Sequence, residues 1–399
     1  MTPPLAGLKV IELAHIMAGP ACGQLLADMG ADVVKVEKVP DGDDTRRMVP
    51  PEIDGESAAF MILNRNKRGT AVNLKTPAGR AVLLKLLSTA DVVIENFRVG
   101  TMERLGLGYE TLRAQNPGLI YCQITGFGRT GPAADRPGFD LIAQGVSGLM
   151  SVTGEGAGRP PIKAGVPVGD IGAGMLAAMG VLAAYIHRLQ SGEGQIVDTS
   201  LLEASIVNTA WVSAIYFATG VSPGALGSAH PMSAPYQAMQ TADGWINIGA
   251  ANQANWLRLV EVLEMPELAQ DERFANNAAR MQNLPPLIEM LTERLRTHTT
   301  AEWLERLEAV GVPAGPVQSI GDMLTDPQVL ARNMVVEVEH SRLGPTRALG
   351  SPVKFSRTPT AIRRGAPLLG EHTREILIEH GYGDSEIDAL AAAGDIILG

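Results

Sequence analysis

The sequence predicts an α/β protein with two domains, a large one built on a parallel sheet and a smaller one of mixed strands and helices. Short apolar segments alternate with helical segments from residue 8 to residue 200, a pattern typical of βαβ units. A Gly/Pro/Ser-rich connector at 221–231 and a second Gly/Pro segment at 311–317 interrupt this alternation. With 399 residues, 45% of them hydrophobic, the chain is long enough to bury a substantial core in each domain.

Strands and helices alternate regularly in the first half of the chain. The predicted strands are 8–13, 33–37, 70–74, 91–97, 119–125 and 195–200. One helix is expected to end at Met29, and Thr76-Pro77 opens another, because proline is favoured in the first turn of a helix. A shorter helix is expected at 109–115, and two long helical patterns flank the last strand. Strands joined by helices of this length pair in parallel, which defines the fold class.

The character of the chain changes after Gly220. A hairpin is predicted at 236–250, with its turn at Asp243-Gly244, and helices dominate from 253 to 310. The second interruption is followed by predicted strands near 334–339 and 353–356 and by a polar tail. The expected division is 1–220 for the first part of the large domain, 221–317 for a linker and the small domain, and 318–399 for a return segment that completes the large domain.

Composition and charge argue against several classes of function. A net charge of −10 and a pI near 5.3 disfavour a surface for nucleic acid or for an anionic membrane. The two cysteines form no disulfide framework and the seven histidines show no paired spacing, so we expect no metal site. The N-terminus lacks the pattern of a secretory signal, and the longest uncharged apolar stretch, 171–186, is short for a membrane span. The sequence therefore predicts a cytoplasmic protein.

Asp170 is the most informative single residue. Within 164–186, AGVPVGDIGAGMLAAMGVLAAYI, it is the one ionisable side chain apart from a tyrosine. Because an unpaired carboxylate is costly to remove from water, Asp170 must find hydrogen-bond donors or serve in a reaction. Capping of the following helix and nucleophilic catalysis both fit this position, and both interpretations stay open. The neighbouring Gly169, Gly172 and Gly174 would let another backbone or a ligand approach closely.

A glycine-rich motif follows the strand predicted at 119–125. The segment GFGRTG at 126–131 matches the GxGxxG pattern of dinucleotide-binding loops. The next residues, PAADRPG, do not begin the helix that such a site requires. We therefore predict a loop at this point and no dinucleotide site.

Two groups of basic residues are candidates for anion binding. Asn64–Arg68 places three cations in five residues. Arg98 and Arg104 follow Phe97 near the end of a predicted strand, where ligands bind in open α/β sheets. Either group fits a solvated surface. Since Phe97 is available for stacking, the second group also fits a phosphate-bearing adenine nucleotide.

A series of segments places the chain near a known family. In order along the chain they are LAGLKVIELAHIMAGP, GADVVKVEKVPDGDDTR, NRNKR, AVNLKTPAGR, ENFRVGTMERLGLGY, ITGFGRTGP, PVGDIGAG and PLLGEHT. From Leu5 to about Thr373 the chain resembles the class III (CaiB/BaiF-type) coenzyme A transferases. This resemblance implies a Rossmann-like sheet in the large domain, a smaller α+β domain, and two ring-shaped subunits that interlock as a homodimer.

The resemblance also implies a reaction and a set of site residues. Asp170 would attack an acyl-CoA thioester to give an aspartyl anhydride and then an aspartyl-CoA thioester, with acyl-CoA and a carboxylic acid as substrates and no tightly bound cofactor. The positions that match the family's CoA site are Met17, Ala18, Lys38, Val72, Asn73, Lys75, Asn96, Phe97, Arg98, Arg104, Arg136 and Phe139. Lys38 occupies a position often held by arginine, so its phosphate contact would be a point charge. The family's mobile glycine-rich loop corresponds to 248–253, which here holds only Gly249.

Within the family, the chain most resembles enzymes that use succinyl-CoA with glutarate-like or hydroxymethylglutarate-like acceptors. A dicarboxylate needs a cation for its distal carboxylate, and the candidates are Arg46, Arg47 and Lys163. Acceptors of the carnitine and formate type stay open.

Two functions of other classes are alternatives. Members of the superfamily that racemise 2-methylacyl-CoA carry a histidine at the position of Phe139 and a glutamate near Asn252. Racemisation needs two groups that take and return a proton, and neither phenylalanine nor asparagine does so. A CoA-binding protein without catalysis is disfavoured because Asp170 lies in its full motif.

Overall fold

Two structural units are present in the computed structural model, which describes residues 2–156 and 158–399. The larger unit comprises the residues up to Leu149, Lys163–Gly220 and Pro327–Gly399, and the smaller comprises Met150–Ile162 and Val221–Asp326. The chain therefore leaves the larger unit twice, first briefly and then for the main part of the smaller unit.

This division differs from the expected one in two places. Residues 150–162 belong to the smaller unit, where the Gly227 N–H donates to the Gly154 carbonyl at 2.8 Å. The return to the larger unit begins at Pro327 and not at 318. The segment before it continues from a strand of the smaller unit, since the Val317 N–H donates to the Trp245 carbonyl at 3.0 Å.

The elements are numbered in chain order. The strands before Gly220 are β1 (Lys9–Glu12), β2 (Asp32–Glu37), β3 (Glu52–Ile53), β4 (Glu56–Ser57), β5 (Arg68–Val72), β6 (Val92–Glu95), β7 (Ile120–Thr125) and β8 (Ile196–Ser200). The helices of this part are α1 (Ala18–Asp28), α2 (Ala58–Asn64), α3 (Pro77–Leu87), α4 (Thr101–Arg104), α5 (Tyr109–Gln115), α6 (Asp140–Val146), α7 (Val168–Ser191), α8 (Leu201–Val207) and α9 (Ala210–Thr219). The strands and helices predicted here are confirmed, with shifts of one or two residues at their ends and with the last helical pattern split into α8 and α9.

The remaining elements belong to the smaller unit and to the return segment. The smaller unit contains β9 (Tyr236–Gln240), β10 (Trp245–Gly249), α10 (Gln253–Val262), α11 (Asn277–Gln282), α12 (Leu284–Leu295), α13 (Thr300–Ala309), β11 (Ala314–Pro316) and α14 (Ile320–Thr325). The return segment contains α15 (Pro327–Ala331), β12 (Val335–His340), β13 (Gly344–Leu349), α16 (Thr373–Glu379), α17 (Asp384–Ala392) and β14 (Ile396–Ile397). Short 3₁₀ turns lie at Asp44–Arg47, Leu149–Ser151 and Pro266–Ala269.

A seven-stranded sheet organises the larger unit, in the order β14-β5-β2-β1-β6-β7-β8. The strands from β5 to β8 are parallel, and β14 joins β5 antiparallel at the edge. The chain starts in the middle of the sheet, adds β2 and β5 on one side, and then adds β6, β7 and β8 on the other. The predicted α/β class with a mainly parallel sheet is therefore confirmed. All parallel strands end at one edge, which we call the carboxyl edge.

Two apolar cores cover the two faces of this sheet. On one face, Leu26 of α1 and Ala177 and Val181 of α7 pack against the strands. On the other, Leu86 of α3 and Ile376 of α16 pack with residues of α17 and β14. Helices on both faces explain why every residue of β6 and β7 is buried, including the polar residues at and near their carboxyl ends.

Close packing between α1 and α7 depends on a glycine. A Cβ atom at Gly174 would lie 2.7 Å from the Ala18 carbonyl oxygen and 2.8 Å from the Ala21 Cβ. At Gly172, one half-turn away in the same helix, the nearest such contact is an ordinary 3.4 Å to the Ala204 Cβ. Gly174 therefore lets α1 approach α7, as the sequence predicted for a glycine of this motif.

Helix α7 has the length and composition of a membrane-spanning helix. Its mean hydropathy reaches 1.5, and 39% of that stretch is buried in the protein. The side chains that face the sheet and α1, Ala173, Ala177 and Val181, are fully buried. A core helix of a globular unit has the same properties, and α7 occupies that position on this face.

The smaller unit contains a three-stranded antiparallel sheet, β11-β10-β9, and a separate core. Its core is built around Trp256, Trp303 and Phe274, all fully buried. The predicted hairpin and the helices that follow it are confirmed. Strand β11 was not predicted because it lies within the Gly/Pro-rich segment. Pro316 is tolerated there since β11 is an edge strand.

One predicted strand is wrong. The segment 353–356 has no strand, and β12 pairs instead with β13 at Gly344–Leu349. Lys354, at the centre of the predicted strand, donates its ammonium to the Ser351 carbonyl in a local turn. The short apolar segment after Pro352 therefore forms no strand.

The Gly174 contact makes a testable prediction about stability. Gly174→Ala should lower the free energy of unfolding by about 1–3 kcal/mol, because the new methyl group has no room against α1. Gly172→Ala is the matched control and should be neutral or stabilising by up to ~1 kcal/mol, since alanine is the better helix former. Urea unfolding followed by circular dichroism measures both. Equal stability of the two variants would contradict the packing argument.

Candidate functional site

A cavity of about 210 Å³ lies at the carboxyl edge of the larger unit, where β1, β6 and β7 end. Its walls come from the segments that follow these strands and from the starts of three helices. The lining residues are Ile16, Met17, Ala18, Asn96, Phe97, Arg98, Val99, Ile124, Thr125, Gly126, Ala134, Asp135, Arg136, Pro137, Gly138, Phe139, Asp170 and Leu201. The chain continues from β1 to one side of the sheet and from β6 to the other, so the connections diverge here. Such a point is where open α/β sheets bind ligands.

Asp170 is the third residue of α7 and lies in the cavity wall. The N-cap position is occupied by Pro167, and no side chain of α7 caps the helix. The capping interpretation is therefore wrong for this residue. Within the described ranges 2–156 and 158–399, no protein group donates a hydrogen bond to the Asp170 carboxylate.

The surroundings of Asp170 raise the pKa of its carboxyl group. Burial raises the pKa of Asp170 to about 6, and the nearby Asp140 carboxylate contributes in the same direction. The carboxylate is still ionised at neutral pH. It lacks competing hydrogen bonds from the described residues, so its lone pairs are free for attack on a bound electrophile.

Three helix N-termini reach the cavity. Met17 and Ala18 begin α1, Phe139 precedes α6, and Asp170 lies in the first turn of α7. The first N–H groups of a helix have no carbonyl partner within the helix, and they form the positive end of its dipole. Unpaired N–H groups at these helix starts are suited to stabilise a developing oxyanion, such as that of a tetrahedral intermediate.

The loop between β1 and α1 is held rigidly. Asn96 accepts from the His15 N–H at 2.9 Å and donates to the His15 carbonyl at 2.8 Å. The Ile16 N–H donates to Asp43 at 3.1 Å, and Ile16 has a φ of +68°, an unfavourable value for a β-branched residue. Asn96, predicted to bind CoA, therefore has both ends of its side chain engaged in shaping the cavity wall.

A network of buried ion pairs holds the loop between β1 and α1 in place. The Lys35 ammonium lies 3.1 Å from Glu12 and 2.9 Å from Asp43, and all three side chains are fully buried. Lys67 pairs with Glu12 at 2.8 Å, and burial lowers the pKa of Lys67 to about 8. The role of Asp43 was not predicted from the sequence. Its one local signal is that its carboxylate accepts from the Thr45 N–H two residues later, a turn typical of aspartate.

The cluster Asn64–Arg68 is not an anion site. Lys67 belongs to the buried network, and Arg65 pairs with Asp28 at 2.7 Å. Arg68 pairs with Asp32 at 2.7 Å and with two glutamates of α16. These cations neutralise carboxylates inside the unit, so they are neither a solvated surface nor a phosphate site.

The turn that carries Phe97 is fixed by another buried acid. Glu95 accepts from the Phe97 N–H at 2.7 Å and from the Tyr121 hydroxyl at 3.2 Å. Burial raises the pKa of Glu95 to about 7. This role was not predicted, because in the sequence Glu95 is simply the last residue of a strand.

The other predicted CoA-site residues lie along the same edge but outside the cavity wall. Lys38 follows β2 and pairs with Asp44 at 2.6 Å, and exposed Lys75 follows β5. The Val72 side chain is fully buried, Asn73 donates to the Gly394 carbonyl, and Arg104 is exposed and donates to Thr101. Since neighbouring strands are about 4.8 Å apart, the ends of β5 and β6 are separated by roughly 14 Å.

The remaining candidates have distinct environments. Arg136 lies 5.2 Å from the Phe127 ring, and Phe139 is 66% exposed at the cavity. Arg46 is engaged with Glu37 through two hydrogen bonds of 2.6 and 2.7 Å, so it is not available for an acceptor carboxylate. Arg47 and Lys163 are exposed.

The segment 126–131 is a loop, as predicted. The next helix after β7 is α6, which begins at Asp140. Gly126 and Gly138 are in backbone contact, because a Cβ at Gly126 would lie 2.7 Å from the Gly138 Cα. The glycines of this motif serve loop closure beside the cavity and do not open a helix.

Comparison with known proteins agrees with the resemblance. The model of CoA-transferase family III matches residues 5–373. The chain is 44% identical to a succinate–glutarate CoA-transferase of Agrobacterium fabrum, over 94% of this chain and 96% of that protein. It is 38% identical to succinyl-CoA:glutarate CoA-transferase of Homo sapiens, over 98% of this chain and 89% of that protein.

A solved structure has the same fold. The crystal structure of a CaiB/BaiF family protein from Brucella suis matches with a TM-score of 0.86 and 42% identity, covering 95% of this chain and 100% of that one. The match spans both structural units. The chain therefore belongs to CoA-transferase family III.

Proposed function

We propose that this protein transfers coenzyme A from an acyl-CoA donor, succinyl-CoA or a similar thioester, to a dicarboxylic acid, with Asp170 as the covalent nucleophile. The observation that carries the proposal is the ionised Asp170 carboxylate in the cavity wall, to which no described residue donates a hydrogen bond. Membership of CoA-transferase family III supports the reaction class. The succinate–glutarate activity named for the Agrobacterium relative supports the substrate class.

The first half of the reaction loads CoA on the enzyme. An Asp170 carboxylate oxygen attacks the thioester carbonyl, and the C–S bond breaks to give a mixed anhydride and CoA thiolate. The thiolate then attacks the aspartyl carbonyl of the anhydride. The donor acid leaves as its carboxylate, and an aspartyl-CoA thioester remains.

The second half reverses these steps with the acceptor acid. The acceptor carboxylate attacks the aspartyl carbonyl and displaces CoA thiolate, which gives a second anhydride. The thiolate attacks the acceptor's acyl carbonyl, and the new acyl-CoA leaves while the Asp170 carboxylate is regenerated. Each attack passes through an oxyanion, which the helix N-termini at the cavity are suited to stabilise.

Coenzyme A would lie along the carboxyl edge as a substrate. The thioester end belongs beside Asp170, with Phe97 and Arg98 in the same cavity wall. Lys38 and Lys75, which follow β2 and β5, would meet the phosphates and the nucleotide end. Arg47 and Lys163 remain as candidates for the distal carboxylate of the acceptor.

Racemisation of 2-methylacyl-CoA has no support from the residues. The position of the racemase histidine is Phe139, which has no titratable group. Asn252 caps α10 in the smaller unit, where its side chain accepts from the Asn255 N–H at 2.8 Å. Two bases suited to α-proton exchange are therefore missing from these positions.

We also propose that the protein is an interlocked homodimer. Large apolar side chains are exposed on α7 and α9, including Met179 at 62%, Trp211 at 60% and Phe217 at 84%. Apolar surface of this kind is typical of a protein–protein interface. The larger unit is built from chain segments that precede and follow the main part of the smaller unit in sequence, so the chain leaves the larger unit and returns to it.

The nucleophile proposal is tested by substitution and by trapping. Asp170→Ala and Asp170→Asn should lower kcat by about 10³-fold or more while the circular dichroism spectrum is retained, because the covalent route is lost. With acyl-CoA and hydroxylamine, mass spectrometry of the wild type should show a hydroxamate at Asp170. Asp54→Asn, a change at an exposed carboxylate of the larger unit, is the control. Turnover by Asp170→Ala near the wild-type rate would refute the mechanism.

The raised pKa of Asp170 makes a second prediction. The carboxylate attacks only when ionised, so kcat/KM for the acyl-CoA should fall tenfold per pH unit below a pKa of about 6 and level off above it. Affinity for an unreactive CoA thioether, measured by calorimetry over the same range, separates binding from attack. A flat profile of kcat/KM down to about pH 4.5 would show that Asp170 has an ordinary acidity.

Interlocking has a consequence for subunit exchange. Two folded preparations with different affinity tags should not form mixed dimers on incubation, because interlocked rings cannot separate without unfolding. Denaturation and refolding of the mixture should produce them, as measured by sequential affinity capture. A monomeric mass by light scattering, or mixed dimers formed without denaturant, would contradict the interlocked arrangement.

A further inference from the structure

The N-terminus of helix α7 is capped by a side chain of α6. With Pro167 at the N-cap, no side chain of α7 accepts its first N–H groups. The Gly169 N–H donates instead to Asp140 Oδ1 at 2.8 Å, and Asp140 is the first residue of α6. Gly169 directly precedes Asp170, so this bond fixes the backbone at the proposed nucleophile.

A second residue of α6 completes the contact. The fully buried Gln144 donates from Nε2 to Asp140 Oδ2 at 2.6 Å. Its Oε1 accepts from the Ala164 N–H at 2.8 Å. The two side chains therefore tie both ends of segment 164–169 to α6, and both carboxylate oxygens and both amide atoms are used. We call this pair the Asp140–Gln144 brace.

The segment that the brace holds contains two glycines in different surroundings. Gly165 has no atoms within 4 Å of where a Cβ would lie, so nothing packs against it. At Gly169 a Cβ would lie 2.9 Å from Ser205 Oγ, so a stiffer residue does not fit. Gly169 therefore lies closely between Ser205 and Asp140, directly before Asp170 in the chain.

We propose that the Asp140–Gln144 brace positions the Asp170 carboxylate for attack, a role that rests on the proposed function. Asp140 and Gln144 are positioning residues, since they act through the backbone at Gly169 and Ala164. A brace of this kind keeps the Asp170 carboxylate oxygen directed at the carbonyl carbon of a bound thioester. Small displacements from that geometry lower the rate of attack strongly.

The charge on Asp140 has a second effect. It adds to burial in raising the pKa of Asp170, which makes the nucleophile more basic at neutral pH. The other titratable groups that line the cavity are Arg98, Asp135 and Arg136. A change at Asp140 therefore alters both the position and the acidity of Asp170, and the two effects need separate measurements.

The brace is tested by exchanging its two chemical groups. Asp140→Asn places an amide NH₂ against the Gln144 NH₂, and rotating either amide breaks the bond to Gly169 or to Ala164. Gln144→Glu places two carboxylates against each other. Each single variant should lower kcat by about 10–100-fold, with a smaller change in KM for acyl-CoA.

The double variant Asp140→Asn/Gln144→Glu should restore the brace with reversed polarity. The new amide can accept from the Gly169 N–H and donate to the new carboxylate, and that carboxylate can also accept from the Ala164 N–H. We expect kcat to recover to within about threefold of the wild type, far above the product of the single effects. The acid limb of kcat/KM should move to lower pH, because the negative charge now lies beside Ala164 and not beside Gly169.

The results distinguish a role of the brace in positioning Asp170 from a role in stabilising the fold alone. Gln318 and Asp326 of the smaller unit, 3.0 Å apart, provide a control exchange of the same chemistry, which should leave kcat unchanged. Single variants with kcat within twofold of the wild type, or a double variant no better than the product of the singles, would overturn the proposal. So would a double variant that fails to fold while the control exchange folds.

Failure of the proposed function is distinguishable from failure of the brace. If the wild type forms no hydroxamate at Asp170 and transfers no CoA, the proposed function is wrong. A carbon-13 NMR titration of the Asp170 carboxyl still tests the brace without any turnover. It should show a lower pKa in the double variant than in the wild type, and an unchanged titration would count against the brace.

Discussion

Charge that is removed from water must be compensated, and this constraint organises the carboxyl edge of the larger unit. Glu12 and Asp43 are fully buried and both pair with the buried Lys35, and Lys67 joins them through Glu12. The network holds the β1–α1 loop in a strained conformation that forms one wall of the cavity. Asp170 lies at the same edge with no described donor. The neighbouring buried charges are all paired, and Asp170 is the exception. A chemical role for Asp170 explains why its carboxylate is left unpaired.

Much of the fold could be predicted because its signals are local. The alternation of short apolar strands with helices, and the Thr76-Pro77 and Asp243-Gly244 signals, depend on residues that are close in sequence. Strands β11 and β14 could not be predicted, because they have only three and two residues and so show no periodicity. Each also pairs with a strand that is distant in sequence. The predicted strand at 353–356 was wrong for a different reason: β12 pairs with β13 in a local hairpin that closes between His340 and Gly344, and 353–356 has no strand to pair with.

In the site too, features set by residues close in sequence were predictable, and features set by distant partners were not. The isolation of Asp170 was visible in the sequence, because its apolar surroundings are its own neighbours along the chain. The roles of Arg65, Lys67 and Arg68 were not visible, since their carboxylate partners are remote; Glu375 is 307 residues from Arg68. Gln144 was missed because a glutamine on a short helix has no pattern that marks it. Its importance comes from the bond to Ala164, 20 residues later.

The position of β14 affects the order in which the protein can fold. Strand β5 lies between β2 and β14, so the sheet gains its last strand only when residues 396–397 arrive. Helices α16 and α17, which cover one core of the sheet, also come from this final segment. The main part of the smaller unit is continuous, from Val221 to Asp326, and its contacts are more local. During synthesis the smaller unit can therefore fold before the larger unit is complete, and the long-range closure of the larger unit would limit the rate of maturation.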